Sequence, residues 1–122
     1  MAKKILIIED EKILREMYHD KFTQAGFNVT IVDSAEEGMN NISKARPDLI
    51  LLDILLPKAN GISFLTRLRK KPEFNSLPII AFSNFDSPET KKTAFNLGVK
   101  DYLIKTNFTP KEIVDKIKSY LK

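Results

Sequence analysis

The feature that most constrains the fold is a fivefold alternation of short apolar runs with longer amphipathic segments. Runs of four or five apolar residues are typical of strands buried on both faces of a parallel sheet. Parallel neighbours need crossover connections, and helices supply these on both faces of the sheet. The pattern predicts an α/β fold, a (βα)5 doubly wound parallel five-stranded sheet, in one domain over residues 1–122. The predicted strands are 4–8, 28–32, 49–52, 79–82 and 101–104.

The predicted helices carry recognisable start signals. Ser34 is followed three residues later by Glu37, which is the spacing of a capping box. Ser87 precedes a proline, and Thr109 precedes a proline with Glu112 shortly after, so both residues are predicted N-caps. The predicted helices are 12–24, 34–44, 62–70, 87–98 and 109–121.

Composition removes several classes of function. The chain has no Cys, which excludes disulfides, thiolate metal sites and cysteine nucleophiles and suits a reducing cytoplasm. A single histidine, His19, rules out a His-rich metal site and argues against a Ser-His-Asp triad. Asp53 interrupts the longest apolar stretch, so we expect no membrane span. The absence of cysteine leads us to expect a cytoplasmic location.

Polar residues directly follow the predicted strands. Glu9 and Asp10 follow the first, Asp53 the third, Ser83 the fourth and Lys105 the fifth. Any one of them fits an ordinary polar loop between strand and helix. Because parallel strands end at a common edge, where ligands of open α/β sheets bind, we expect these side chains to form one site.

The residue types of this site point to phosphoryl chemistry. Crowded carboxylates need a cation, and oxygen donors without nitrogen or sulfur favour Mg²⁺ or another divalent ion such as Mn²⁺. Lys105 offers a compact positive charge and Ser83 a hydrogen-bond donor for phosphoryl oxygens. Asp53 then becomes the candidate nucleophile for an acyl phosphate.

The chain resembles the receiver domain of two-component response regulators from residue 3 to about 121. The resemblance rests on residues 5–11, on Asp53 with Pro57 and Gly61 after it, and on Ser83, Tyr102 and Lys105 in order. It implies the flavodoxin-like strand order 2-1-3-4-5. It also implies a signalling domain, not a conventional enzyme, that assists its own phosphorylation and dephosphorylation.

The resemblance implies a functional role for each of several residues in this chain. Asp53 would accept a phosphoryl group from the phosphohistidine of a histidine kinase or a phosphotransfer protein. Asp10 would bind the metal directly, Glu9 mostly through water, and Leu55 through its backbone carbonyl. Ser83 and Lys105 would contact the phosphoryl oxygens.

The resemblance also implies how phosphorylation would change the surface that partners bind. Tyr102 would be the switch aromatic that turns inward when Ser83 moves toward the phosphate; the alternative is a half-buried strand tyrosine. Partners would detect the change on the fourth helix, fifth strand and fifth helix. They would be a downstream effector protein, an effector domain of the same polypeptide or a second copy in a phosphorylation-dependent dimer, and direct nucleic-acid binding is not expected. The sequence leaves open whether the receiver is free-standing.

Three departures from the family pattern carry expectations. Thr106 replaces the usual proline after Lys105, so we expect either a trans peptide with a shifted loop or a strained cis peptide. Asn84 replaces a small residue and would crowd the approach to Ser83. Leu55 and Phe85 flank the route of the hydrolytic water, and two apolar side chains there predict slow loss of the phosphate. The alternative is that they only cover apolar surface.

Three rival functions remain. A haloacid-dehalogenase-type phosphatase needs a second carboxylate two residues after its nucleophile, where this chain has Leu55. A nucleic-acid binder would use the basic second half, in which residues 62–122 hold 12 basic and 6 acidic side chains. The basic residues Arg67, Arg69, Lys70 and Lys71 are expected to be exposed and could dock an acidic partner. The third rival is a pseudo-receiver that is only an interaction surface.

Overall fold

In the part of the chain that the structure describes, five β-strands alternate with five α-helices. The computed structural model describes residues 2–55, 61–84 and 86–121. Its elements are β1 Lys4–Ile8, α1 Lys12–Gln24, β2 Asn28–Val32, α2 Ala35–Ala45, β3 Leu49–Asp53, α3 Gly61–Arg69, β4 Ile79–Ser83, α4 Pro88–Asn96, β5 Asp101–Ile104 and α5 Pro110–Tyr120. Single 3-10 turns cover Pro72–Phe74 and Lys105–Asn107.

The strands form one sheet in the order β2-β1-β3-β4-β5, and every neighbouring pair is parallel. The predicted fold class and strand order are therefore confirmed. The strands β3 and β4 each run one residue further than predicted, so Asp53 and Ser83 are the last residues of their strands. The helix α4 ends at Asn96, two residues earlier than predicted.

The sheet separates two apolar cores. On one face, α1 and α5 contribute Tyr18, Phe22 and Ile113 among others. On the opposite face, α2, α3 and α4 contribute Ile42, Phe64 and Ala94 among others. Strand residues alternate between the two cores, as the period of a pleated strand requires. Both faces of the central strands are consequently covered, which explains their unbroken apolar sequence.

The predicted N-caps of α2, α4 and α5 are present. The side-chain oxygens of Ser34, Ser87 and Thr109 each accept a hydrogen bond from a backbone amide three residues further on. In α5 the carboxylate of Glu112 also accepts from the Thr109 amide at 2.9 Å, which completes the capping box. These local bonds fix where the helices begin after the strand-end loops.

The expectation that the basic side chains of Arg67, Arg69, Lys70 and Lys71 are exposed is wrong for Arg69, which is half-buried. Its guanidinium donates to the carbonyls of Leu97 at 2.8 Å and Gly98 at 3.1 Å, and to those of Phe74 at 2.9 Å and Asn75 at 3.3 Å. The last residue of α3 is therefore bonded to the turn that follows it and to the end of α4. Among the described residues, no helix is long and apolar enough to cross a membrane.

Candidate functional site

The strand alternation decides which polar side chains meet at the carboxyl edge of the sheet. Glu9 and Asp53 lie two residues beyond Ile7 and Leu51, which belong to the core beneath α1 and α5. Residues two apart on a strand face the same side. The acidic residues therefore continue the α1–α5 face beyond its apolar core.

Lys105 lies between two of the carboxylates. Its Nζ is 2.6 Å from Glu9 Oε1 and 3.0 Å from Asp53 Oδ2. The lysine side chain is 8% exposed, and those of Glu9 and Asp53 are 0% and 5% exposed. Two buried carboxylates thus share one buried ammonium, and Lys105 acts as an internal counter-ion.

The electrostatics of this group follow from burial and from that shared charge. Burial raises the pKa of Glu9 to about 7, although the hydrogen bond and the charge of Lys105 act to lower it. Burial likewise raises the pKa of Asp53, again against the charge of Lys105. Burial acts to lower the pKa of Lys105, but the hydrogen bond to Glu9 and the charge of Asp53 outweigh it and raise the pKa. The ammonium therefore stays charged.

The arrangement of the carboxylates fits a hard cation. Glu9, Asp10 and Asp53 each offer an oxygen, and these oxygens lie within 4.8 Å of one another. An oxygen-only donor set with few protein ligands is the chemistry that Mg²⁺ prefers and Mn²⁺ accepts. The second Asp53 oxygen, Oδ1, accepts from the Leu55 amide at 3.0 Å, which orients the carboxylate.

Two further residues shape this edge of the sheet. The sequence analysis assigned no role to Arg15, and it named Gly61 only as part of the resemblance to the receiver family. The Arg15 guanidinium donates to the carbonyls of Asp10 at 2.7 Å and Glu9 at 3.2 Å and so holds the turn between β1 and α1. A basic residue one helical turn after an acidic pair was the available signal. At Gly61, an added Cβ would lie 2.9 Å from the Asp53 carbonyl oxygen. Only glycine lets α3 begin that close to the end of β3.

Ser83 and Tyr102 lie on the other face of the sheet edge. Ser83 is fully buried and Tyr102 is 7% exposed, so Tyr102 is more deeply placed than the half-buried tyrosine of the alternative interpretation. Burial raises the pKa of Tyr102, and a side-chain hydrogen bond with Ser83 acts to lower it.

An aromatic pair beneath Lys105 was missed from the sequence. The Lys105 Nζ lies 4.6 Å from the centroid of the Phe82 ring, and the Tyr18 ring meets Phe82 edge-on at 5.5 Å. Both residues also belong to the apolar core beneath α1 and α5. Nothing in the strand or helix periodicity distinguishes a ring below an ammonium from any other core ring.

The departures from the family pattern have different outcomes. The Lys105–Thr106 peptide is trans, and Lys105 still reaches both Glu9 and Asp53. Asn84 is exposed beside the buried Ser83. The Leu55 side chain is also exposed, by 51%, while its expected partner Phe85 lies outside the described residues, as does Pro57.

Comparison with known proteins places this geometry in context. Residues 5–118 match the family model described as the response regulator receiver domain. The chain is 33% identical over its whole length to the phosphate regulon transcriptional regulatory protein PhoB of Escherichia coli strain K12 and covers 53% of that protein. The chain thus spans about half the length of such curated relatives.

Solved structures agree with the fold. A CheY-like response regulator receiver domain protein from Methanospirillum hungatei JF-1 superimposes with a TM-score of 0.91 at 27% identity, over 99% of this chain and 94% of that one. The chemotaxis protein CheY4 of Vibrio cholerae superimposes with a TM-score of 0.90 at 25% identity, over 98% of each chain. Sequence and structure therefore converge on one family.

Proposed function

We propose, from the premise that the chain belongs to the receiver domains of two-component response regulators, that Asp53 is its phosphoacceptor. Accepting a phosphoryl group is general to this family. The observation that carries the proposal is the shared ammonium: Lys105 contacts the carboxylates of both Glu9 and Asp53 inside a buried strand edge. A positive charge already fixed there can neutralise the charge that phosphoryl transfer adds.

The proposed reaction is a single displacement at phosphorus. One Asp53 oxygen forms a new O–P bond while the P–N bond of a partner's phosphohistidine breaks, and the released electron pair stays on the imidazole nitrogen. The Leu55 amide holds Oδ1 of the carboxylate at 3.0 Å, so the side chain is oriented before reaction. Lys105 and the Ser83 hydroxyl would then bind oxygens of the transferred group.

Receiver domains bind a divalent cation in an acidic pocket, and the carboxylate cluster of this chain suits one. In our proposal the carboxylates of Glu9, Asp10 and Asp53 and the backbone carbonyl of Leu55 hold Mg²⁺ or Mn²⁺. The bound cation supplies charge neutralisation for the phosphoryl oxygens. The turn carrying Glu9 and Asp10 is supported by Arg15, which keeps both acidic residues at the strand edge.

Receiver domains act with histidine kinases or phosphotransfer proteins and with effectors. We propose that Tyr102, which is buried as Ser83 is, reports the state of Asp53 to the surface formed by α4, β5 and α5. An effector protein, an effector domain of the same polypeptide or a second copy would read that surface. The proposal takes residues 1–122 as one receiver domain, working in the cytoplasm and assisting its own phosphorylation and dephosphorylation.

Incubation with acetyl phosphate and Mg²⁺, followed by intact mass measurement, tests the proposal. We expect the mass to rise by one phosphoryl group and the gain to vanish in Asp53→Asn and without a divalent ion. Asp33→Asn is the matched control, because Asp33 directly follows β2 at the same sheet edge. An Asp53→Asn protein that gains phosphate as the control does would refute the assignment.

A further inference from the structure

The ammonium of Lys105 has a third partner that is not a carboxylate. Besides Glu9 and Asp53, it faces the ring of Phe82, with Nζ 4.6 Å from the centroid. This distance is within the range of a cation–π interaction. Phe82 is fully buried and the lysine side chain is 8% exposed, so little water competes for the ammonium.

The sheet places this ring under the site. In the strand register, Phe82 is the partner of Asp53 on β3 and of Leu103 on β5. Its side chain belongs to the core beneath α1 and α5. The ring is therefore the last apolar layer below the group that contains Asp53 and Lys105.

Tyr18 of α1 fixes the ring. Its own ring lies 5.5 Å from that of Phe82 at an interplanar angle of 66°, an edge-on contact, and it is 3% exposed. Edge-on pairs at such distances are favourable beyond their burial. The Phe82 ring is thus held between the lysine above and the tyrosine beside it.

We propose that Phe82 and Tyr18 are positioning residues for Lys105 during phosphoryl transfer. The inference rests on the proposed function of Asp53. Lys105 must exchange carboxylate oxygens for phosphoryl oxygens, and each hydrogen bond to Glu9 or Asp53 is directional and breaks when the ammonium moves. The face of a ring has no single acceptor atom, so the ammonium keeps this contact throughout a short shift. The ring confines Lys105 to the strand edge.

The first test needs no phosphorylation. A ring 4.6 Å from Nζ shifts the NMR signals of the Lys105 side-chain protons upfield, and we expect Phe82→Leu to remove that shift in the unphosphorylated protein. Phe22→Leu is the matched control, because Phe22 is equally buried in the same core and packs on Phe27 instead. An unchanged Lys105 signal in Phe82→Leu would overturn the inference, even if Asp53 were not phosphorylated.

The second test measures the phosphorylation rate with acetyl phosphate and Mg²⁺. We expect Phe82→Leu to lower the rate about three- to tenfold, a loss within the range of one cation–π contact. Phe22→Leu should lose comparable stability in urea and keep the wild-type rate. Equal rates for the two variants would mean that Phe82 is only a core residue and would overturn the proposal.

Tyr18 variants complete the test. Tyr18→Phe keeps the ring and should be phosphorylated at the wild-type rate. Tyr18→Leu removes the ring and should be phosphorylated more slowly than wild type, as Phe82→Leu is.

Should Phe82→Leu fail to fold, Phe82→Met fills the space with a flexible apolar side chain and gives the same comparison. A wild-type protein that gains no phosphate would refute the function of Asp53 and leave the NMR result to decide the positioning role.

Discussion

The ammonium of Lys105 is the counter-ion of two buried carboxylates. Two carboxylates buried without a cation would repel each other and lose hydration, at a cost of several kcal/mol. The ammonium at 2.6 and 3.0 Å from Glu9 and Asp53 offsets part of that penalty, although burial still raises the pKa of both carboxyl groups.

Replacing Lys105 should therefore make the protein more dependent on metal. We expect Lys105→Met to lower the free energy of unfolding by about 3 kcal/mol in EDTA, because it leaves Glu9 and Asp53 without a counter-ion. Mg²⁺ should restore more stability to the variant than it adds to the wild type. Urea unfolding with and without Mg²⁺ measures both effects.

The control for this prediction is Lys100→Met, which removes an exposed lysine one strand-length away. It should respond to Mg²⁺ as the wild type does. If Mg²⁺ stabilised Lys105→Met and Lys100→Met equally, Lys105 would not be the counter-ion of the acidic group.

The lifetime of the phosphorylated form depends on the side chains around the phosphate. Leu55 is 51% exposed next to the Asp53 carboxylate, which its own amide contacts. An apolar side chain cannot orient an attacking water by hydrogen bonds. We expect Leu55→Asn combined with Phe85→Glu to speed phosphate release severalfold, as measured by the decay of the phosphorylated mass. A decay unchanged from wild type would mean that both residues only cover apolar surface.

At the scale of elements, Arg69 joins α3 to α4. Its four backbone acceptors belong to the turn after α3 and to the end of α4. Gly98 there has a φ of +88°, and a Cβ at that position would lie 3.3 Å from an Arg69 nitrogen. The planar guanidinium can serve several carbonyls at once, and a lysine ammonium cannot match that geometry.

Arg69→Lys should consequently destabilise the protein by about 2 kcal/mol, the value of lost hydrogen bonds to a charged donor. Arg67→Lys, on the exposed side of the same helix, should change stability very little. Urea unfolding of both variants at neutral pH checks the difference. Equal stabilities would show that the Arg69 contacts contribute nothing measurable.

The start of α5 should make stability depend on pH at acidic values. The hydrogen bonds from Thr109 lower the pKa of Glu112, so its contribution is present above the ordinary value of 4.5 and is lost as the pH falls through the lowered value. We expect wild type to be more stable than Glu112→Gln at pH 7, with the difference shrinking at pH 3. Glu89→Gln is the control, because Glu89 interacts with the helix dipole in the first turn of α4 but is not part of a capping box. A difference that does not vary with pH would contradict this role.

Elements with strong local signals could be predicted from the sequence. The five apolar runs and the caps at Ser34, Ser87 and Thr109 gave element positions within about two residues of the structure. The two 3-10 turns could not be predicted, because three residues are too few to show a period. The extension of β3 to Asp53 could not be predicted either. A charged residue after an apolar run is normally assigned to a loop, and the sequence gives no local sign that the strand continues.

At the scale of the whole molecule, topology explains why side chains from separate strands could be expected to lie near one another. Parallel strands place the residues at the carboxyl ends of β1, β3, β4 and β5 along one edge, so that expectation follows from the order of elements alone. The ion pair between Lys105 and Glu9 and the contact of Lys105 with the Phe82 ring depend on side-chain directions across several strands. Those directions are set by packing of the two cores and have no trace in any single segment.

The most direct test of the account identifies the residue that carries the phosphate. The protein is phosphorylated with acetyl phosphate and Mg²⁺ and reduced with borohydride, which converts an aspartyl phosphate to homoserine, and its peptides are sequenced by mass spectrometry. We expect homoserine at position 53 and at no other position. Homoserine at Asp10, or an unmodified Asp53 in protein that has gained phosphate, would contradict it.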